Sequence, residues 1–437
     1  MARRWPIAFA VLWLVAPSAL PQDLAPEVLL LSRIKRHLRE ELTRIPNYTC
    51  LETISRFRYD PKSPLQSHDK GLAKLDTVRL EIVFTGGREW YGSPGERSLS
   101  TDKVSSFIAG GMIADGAFAY ALHNVIEEAI FIYRGEEPLG GRTAVKYDFR
   151  LPALQKPLTI SMPRGSGTVG EQGSMWVDPR SLDLIRLESH ATEIPPYLPL
   201  QNSGMNVDYA RMRIGDSDTL LAQQADSTML DDAGEENFDR IEFTHCRSYA
   251  ATSLVSFEPK PAESAEPAST VPVSAAPVQA VAAHAVPPFL EVTVRLTTPV
   301  SDKDSVGALI EGTTSGNVVQ KRKVVVPDGS TIHGRIRRLE HYPDRQVFAV
   351  GLEFMDIEVR GESLPFYADL LRLDKDPRIQ LQLSRRVLVS NATGVHPADE
   401  EITIPELPGV AAFFVQGTHL NLPAGFRLIW RTRGLIR

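Results

Sequence analysis

Cysteine is nearly absent from this chain, with only Cys50 and Cys246 in 437 residues. That excludes a disulfide-dense mini-domain and any metal site built from paired cysteines. An excess of basic residues is missing too: 48 Lys and Arg stand against 54 Asp and Glu, a formal net charge of -6. Nucleic acid is therefore not expected as the main partner, because neutralising phosphates needs clustered Lys and Arg. Catalytic signatures are lacking as well: the sequence contains no Gly-x-Ser-x-Gly elbow, no His-Glu-x-x-His, no Gly-x-x-x-x-Gly-Lys and no Cys-x-x-Cys. The ten histidines are scattered, and no two of them sit at ligand spacing with a third ligand nearby. No catalytic residue, metal ligand or cofactor is expected. What is present, 43% hydrophobic residues with modest net charge, describes a globular chain with enough apolar material for real cores.

Residues 1–22, MARRWPIAFAVLWLVAPSALPQ, have the layout of a secretory signal peptide. Arg3 and Arg4 precede an apolar run from Trp5 to Ala16, and Pro17 and small residues follow it. Twelve residues are too few for a permanent membrane span, although an uncleaved anchor is the alternative. Without the two arginines the remaining chain has 46 basic and 54 acidic residues, a net charge of -8. The expected location is the periplasm or another extracytoplasmic compartment. In such an oxidising compartment an even cysteine count favours pairing. Cys50 and Cys246 lie in strand-like contexts near the two ends of the first folded region, so one disulfide joining its first strand to its last is expected. Two buried free thiols are the alternative.

The sharpest change in composition runs from Pro259 to Pro288, where 7 of 30 residues are Pro, 9 are Ala and none is aromatic. Such a segment cannot bury a core and reads as a semi-stiff tether. The expected organisation is a signal peptide over 1–22, a first domain over 23–258, a linker over 259–288 and a β-rich domain over 289–437.

In the first domain Leu30, Ile34, Leu38 and Leu42 recur every fourth residue, which predicts an amphipathic helix ended by Pro46. Strand-like runs follow. Val78, Leu80, Ile82 and Phe84 alternate with Arg79, Glu81 and Val83, and seven later runs from EAIFIYRGE to NFDRIEFTHCRSY are mostly separated by turn residues, as in an antiparallel meander. Between them TDKVSSFIAGGMIADGAFAYALHNVI has helical spacing at Phe107, Met112, Ile113, Phe118 and Leu122, broken by Gly110 and Gly111.

The order YRGEEPLGGRTAVKYDFRL followed by GSMWVDPRSLDLIRLES resembles the periplasmic lipoprotein-carrier family and the related sigma-E regulatory sensor proteins. The resemblance extends over about residues 30–250. It implies a mainly β fold of α+β type, in which a curved antiparallel sheet, an open β-barrel, wraps over helices and takes up acyl chains or other apolar partners on its concave face. Phe107, Met112, Ile113, Phe118 and Leu122 are then the candidate ligand-binding residues, with the glycines as hinge; filling of the core is the alternative.

The second domain is predicted as a small β-barrel or β-sandwich. Phe348, Val350, Leu352 and Phe354 share one strand face, and Ile332, Gly334 and Ile336 another. Between KRKVVV and TIHGRI a Pro-Asp-Gly-Ser turn is expected, with Gly329 supplying positive φ. The string is similar to the channel-forming β-barrel component of conjugation and type IV secretion machines. Lys321 to Lys323 with Arg335, Arg337 and Arg338 could meet an anionic surface, or form the solvent face of a strand whose other face is core. The acidic stretch with Asp231, Asp232, Glu235, Glu236 and Asp239 reads as a solvated hairpin turn.

These features favour a non-enzymatic, exported binding protein of the cell envelope whose concave sheet takes an apolar ligand or a lipidated partner. The alternatives are a structural or secretion-machinery accessory that binds only other proteins, and an unrecognised hydrolase.

Overall fold

A computed structural model describes residues 24–59, 72–96, 99, 104, 118–155, 158–162, 165–249, 286–373, 379–381 and 409–434. The signal-peptide segment and most of the Pro/Ala-rich segment lie outside these residues. The chain is mainly β, with two helices among the described residues.

The first helix, α1 (Pro26–Arg44), starts at a proline in its first turn, where the missing N–H costs nothing, and stops before Pro46. Ile34 and Leu38 are fully buried by it. The second, α2 (Phe118–Glu128), buries Leu122, Val125 and Ile126. Around them runs an eleven-stranded antiparallel sheet. Its strands are β1 (Tyr48–Tyr59), β2 (Leu72–Thr85), β3 (Arg88–Gly92), β4 (Ile130–Leu139), β5 (Arg142–Leu151), β6 (Leu158–Met162), β7 (Gly165–Val177), β8 (Leu184–Thr192), β9 (Leu200–Ile214), β10 (Ser217–Asp231) and β11 (Glu236–Ser248).

Their spatial order is β3-β2-β1-β11-β10-β9-β8-β7-β5-β4, with β6 on β7. Chain neighbours are therefore nearly always sheet neighbours, the meander that the evenly spaced turn residues predict. β3 and β4 are the two ends, so the sheet curls without closing. Ile34 and Leu38 pack with Leu122, Val125 and Ile126 against Val145, Tyr147, Met175, Val177 and Leu184, so the helices occupy the concave side toward the β4 end.

The second unit is a nine-stranded antiparallel sheet. Its main strands are β12 (Glu291–Leu296), β14 (Leu309–Thr314), β17 (Thr331–Tyr342), β18 (Val347–Val359), β20 (Ala368–Leu373), β22 (Ala411–Gln416) and β24 (Arg427–Thr432). The ribbons β13 (Val300–Ser301) with β23 (Asn421–Leu422), and β15 (Val318–Gln320) with β16 (Lys323–Val326), stand beside it. Gly329 has φ +77° in the turn after Val326, and the Ser330 amide donates to the Pro327 carbonyl. The flanking strands do not form a hairpin with each other, however: β16 pairs with β15, and β17 with β14 and β18. The turn at Pro423 to Phe426 is built the same way, with Gly425 at φ +93°, and also passes the chain from a ribbon into the main sheet.

One apolar cluster runs through both units. Ile54, Val78, Leu80 and Ile241 of the first sheet belong to the same buried set as Ile336, Leu339, Phe348, Val350 and Trp430 of the second. The contact has a backbone cause. β3 pairs only with residues 81–85 of β2, which leaves the edge of β2 open further back. There Val306 docks: its amide donates to the Thr77 carbonyl at 2.8 Å and its carbonyl accepts from the Arg79 amide at 3.0 Å. Gly307 follows at φ +93°, and a Cβ placed on it would lie 2.5 Å from the Arg79 carbonyl oxygen. Only glycine allows so close an approach with that backbone angle.

Candidate functional site

The concave face of the first sheet is a series of cross-strand layers set by register. Moving along β1, Tyr48 lies opposite Phe84, Cys50 opposite Ile82, Glu52 opposite Leu80, Ile54 opposite Val78 and Arg56 opposite Asp76. On the other flank β11 places Phe243, Ile241 and Asp239 beside Glu52, Ile54 and Arg56. Period-two alternation puts all of these on one side. The face thus carries charge at the Arg56 end and again at Glu52, with Ile54, Val78 and Ile241 between them and an aromatic pair at the Tyr48 end.

The second unit covers the Arg56 end. Asp76 accepts from Arg56 Nε at 2.7 Å and from its Nη2 at 2.5 Å, a two-pronged pair that is almost wholly buried. Glu340 of β17 stands 3.5 Å from the same guanidinium and accepts from Arg338 Nη2 at 2.5 Å and from the Tyr342 hydroxyl at 2.6 Å. Burial opposes charge on Glu340, but Arg338 and Arg56 outweigh it and hold the carboxyl below its ordinary pKa. Arg335 donates to the carbonyls of Pro94 and Gly307. These contacts correct one expectation. Arg335 and Arg338 are 3% and 2% exposed, so they form neither a solvent face nor a surface for an anionic partner. A register shift between Ile336 and Arg338 interrupts the simple alternation along β17.

Between this covered end and the helices the concave face is not fully filled. A narrow cavity of about 30 Å³, room for about one or two water molecules, lies within a concavity of about 480 Å³ when its mouth is counted. Leu42 and Ile45 from the end of α1 and Leu122 from α2 form one wall. Tyr48, Cys50, Ile82 and Phe243 form the sheet wall, and Tyr209, Leu220, Leu221 and Ala222 from β9 and β10 complete it. Tyr48 stacks on Phe84 with ring centroids 5.4 Å apart.

One carboxyl enters this apolar lining, that of Glu89 on β3. Glu89 pairs with Phe84 and Tyr91 with Ile82, so both point to the concave side. The Tyr91 hydroxyl donates to Glu89 Oε2 at 2.9 Å. Desolvation raises the Glu89 pKa from 4.5 to about 7, against a smaller opposing effect of that hydrogen bond. Burial likewise pushes the Tyr48 and Tyr209 hydroxyls well above their ordinary range, with Glu89 adding to both, Glu52 to Tyr48 and Glu171 to Tyr209.

The disulfide expected from export and parity is present. Cys50 and Cys246 are bonded, with Cα atoms 4.1 Å apart, and tie β1 to β11, the first and last strands of the sheet. Thr49 pairs with Arg247 and Leu51 with Thr244, so two residues, His245 and Cys246, stand opposite Cys50. His245 takes φ +53° at this bulge.

Of the five candidate ligand residues, Phe107, Met112 and Ile113 lie outside the described residues, and Phe118 begins α2 without a described side chain. Leu122 is 3% exposed and borders the cavity. The acidic stretch closes the β10–β11 hairpin, where Asp231 accepts from the Ala233 and Glu235 amides. Among the described residues no group of three or more His, Cys, Asp or Glu is arranged to hold a metal ion. No helix among them is long and apolar enough to cross a membrane.

Sequence reasoning missed Glu89. Its signal was available: the alternation of Val78, Leu80, Ile82 and Phe84, carried through the Gly86-Gly87 turn, puts Glu89 and Tyr91 on the same face.

No protein-family model matches the chain, and no curated protein does. Among solved structures it is similar to a DUF1329 family protein from Desulfovibrio piger, at 13% identity and a TM-score of 0.28, over 53% of this chain and 97% of that one. It is similar to a LolA superfamily protein from Nitrosomonas europaea at 11% identity and a TM-score of 0.26, over 50% of this chain and 94% of that one. It is also similar to MucB at 12% identity and a TM-score of 0.19, over 89% of this chain and 92% of that one. These likenesses are too slight to carry a conclusion about ligand or role.

Proposed function

We propose that this is an exported binding protein of the cell envelope, without catalytic activity, whose first sheet takes an apolar ligand or the apolar part of a lipidated partner on its concave face. The observation that supports the reading is the cavity between α1, α2 and the sheet, lined almost entirely by apolar and aromatic side chains. A well-filled interior leaves few voids larger than a water molecule, so an apolar cleft at the seam between helices and a curved sheet is where a ligand enters with least rearrangement. As it stands the cavity is too small for an acyl chain. Uptake therefore requires α2, which is held mainly by Leu122, Val125 and Ile126, to move outward and widen the concavity. Export rests on Arg3, Arg4 and the short apolar run after them, and the 259–288 segment serves as the covalent tether between the two units.

The test is native mass spectrometry of the full chain purified from the envelope fraction of a host that exports it, followed by lipid extraction. A stoichiometric apolar adduct, lost on substitution of Leu122 by a charged residue, is the expected result. Protein free of any adduct, and unable to bind an added alkyl probe, overturns the reading.

A protein partner is a second reading, favoured by β4. This end strand exposes Ile130, Ile132 and Tyr133 at 57%, 53% and 40%, an apolar edge of the kind that accepts another strand.

A further inference from the structure

Three carboxyls at the concave face differ in what faces them. Asp76 and Glu340 meet the guanidinium groups of Arg56 and Arg338. Glu89 meets none. Among the described residues its only hydrogen bond is the one from Tyr91 to Oε2, and no cationic side chain of theirs shifts its titration. The charged and titratable groups around it are Tyr91 on its own strand, Tyr48 and Glu52 on β1, Tyr209 on β9, and Glu171 on β7, which acts on Tyr209. The surfaces facing it from α1, α2, β2, β10 and β11 are apolar: Leu42, Leu122, Ile82, Leu221 and Phe243. Among the described residues, the charges that reach the cavity are thus negative or potentially negative. The rings of Tyr48 and Tyr209 add π faces, which attract cations at short range.

Resting on the reading of the concave face as a ligand site, we infer that the cavity selects an apolar primary amine, with the ammonium group seated at Glu89 and the alkyl or aryl body lying toward Leu42, Ile45 and Leu122. Size limits the head. In its closed form the cavity, about 30 Å³, admits a group close to water in volume, such as –NH3+, while the tail takes the room that outward movement of α2 provides. Three N–H donors suit the site: the carboxylate accepts one, and the tyrosine oxygens can accept others. A bulky quaternary head or a carboxylate does not fit this chemistry. A carboxylate would add a second negative charge beside Glu89 in a desolvated site, which forces one of the two to stay protonated.

The experiment compares three ligands with one tail and different heads: n-octylamine, n-octanol and n-octanoate, each titrated calorimetrically into the full chain and into Glu89→Gln. Octylammonium is expected to bind wild type at least tenfold more tightly than octanol, and octanoate least. Aliphatic ammonium stays protonated through pH 8.5, whereas the free Glu89 carboxyl, with a pKa of about 7, is mostly neutral at pH 5.5. Octylammonium affinity should therefore rise about thirtyfold between pH 5.5 and 8.5, and octanol affinity should not. Burial raises the Glu171 pKa as well, so a pH dependence that persists in Glu89→Gln would assign the effect to Glu171 and overturn the role of Glu89.

In Glu89→Gln the preference for amine over octanol should vanish while octanol binding is kept. Equal binding of amine and alcohol by wild type, or a preference for octanoate, overturns this inference and leaves the apolar site standing. Binding of none of the three overturns the apolar-site reading itself. If the variant fails to fold, the pH profile of Glu171→Gln decides: a rise for the amine alone supports the inference, and a flat profile overturns it.

Discussion

The Glu89 carboxyl should make the unliganded protein less stable as pH rises, and replacing it with glutamine should remove that loss. In the unfolded chain the group titrates near 4.5, and in the folded protein near 7. Below pH 4.5 both states are protonated and the shift has no effect. Between the two values the folded state holds a proton that the unfolded state has released, so stability falls as pH rises, and it levels off above pH 7. A difference of about 2.5 units, at about 1.36 kcal/mol per unit, sets the full loss at about 3 kcal/mol. Glutamine keeps the shape and still accepts the Tyr91 hydroxyl, but it cannot ionise. The stability of Glu89→Gln relative to wild type should therefore climb from near zero at pH 4 to about 3 kcal/mol at pH 8. Urea unfolding of both proteins at pH 4, 6 and 8, followed by tryptophan fluorescence, measures this, and every other carboxyl cancels in the comparison. A difference that stays constant across the three pH values would refute the claim that Glu89 is desolvated and unpaired.

Three further outcomes follow from other parts of the fold. Replacing both Cys50 and Cys246 by serine releases a closed loop of 196 positions and should cost about 5 kcal/mol in the chain-entropy account; urea midpoints of the double variant and of wild type with and without reductant test it, and unchanged midpoints would count against the bridge. Gly307→Ala puts a methyl carbon 2.5 Å from the Arg79 carbonyl oxygen at φ +93°, which should cost about 1–3 kcal/mol and loosen the second unit. Limited proteolysis should then cut between the units faster than in wild type, whereas the same rate would show that Val306 docking does not hold them. Asp76→Asn takes the two-pronged carboxylate away from the buried Arg56 and should destabilise by about 3–5 kcal/mol, while the paired change Arg56→Met with Asp76→Leu, which leaves Glu340 to Arg338, should cost less; thermal melts of the two variants would contradict this if the double change proved the worse.

How much of this was legible in the sequence depended on whether one strand face had a single neighbour throughout. β2 alternates from Val78 to Phe84 because its inner face stays buried over that stretch. α1 was readable because Ile34 and Leu38 meet the same sheet surface. The Cys50–Cys246 bridge followed from compartment and parity, but the bulge that sets His245 and Cys246 opposite Cys50 left no mark in composition. β17 misled: TIHGRIRRLEHY shows basic residues between apolar ones, the pattern of a half-solvated strand. Its Arg335 and Arg338 are instead buried because the opposing surface belongs to another part of the chain, some 240 residues earlier for Pro94. A local pattern cannot report a distant carbonyl or carboxylate. The Pro327 and Pro423 turns were legible as turns, yet which strands they would separate into different sheets was not, since pairing is decided by partners remote in sequence.

Charge pairing along the concave face also explains why the cavity, rather than the covered polar end of the sheet, is the place to look for a ligand. A buried charge is tolerated when a partner offsets its desolvation, and is otherwise kept neutral or costs stability. At the Arg56 end the second unit brings Glu340 and Arg338 to Arg56 and Asp76, so charges of opposite sign meet there when the two sheets are together. Among the described residues, the helices bring Leu42, Ile45 and Leu122 to the Tyr48 end, and Glu89 accepts from a tyrosine hydroxyl. One curved face is thus covered from two sides, by a unit that matches its charges and by helices that do not. If Glu89 served only packing, a leucine or glutamine would fill the position without the loss above pH 4.5. None of the described residues supplies a positive charge there, and a ligand that brings one would offset the desolvation of Glu89.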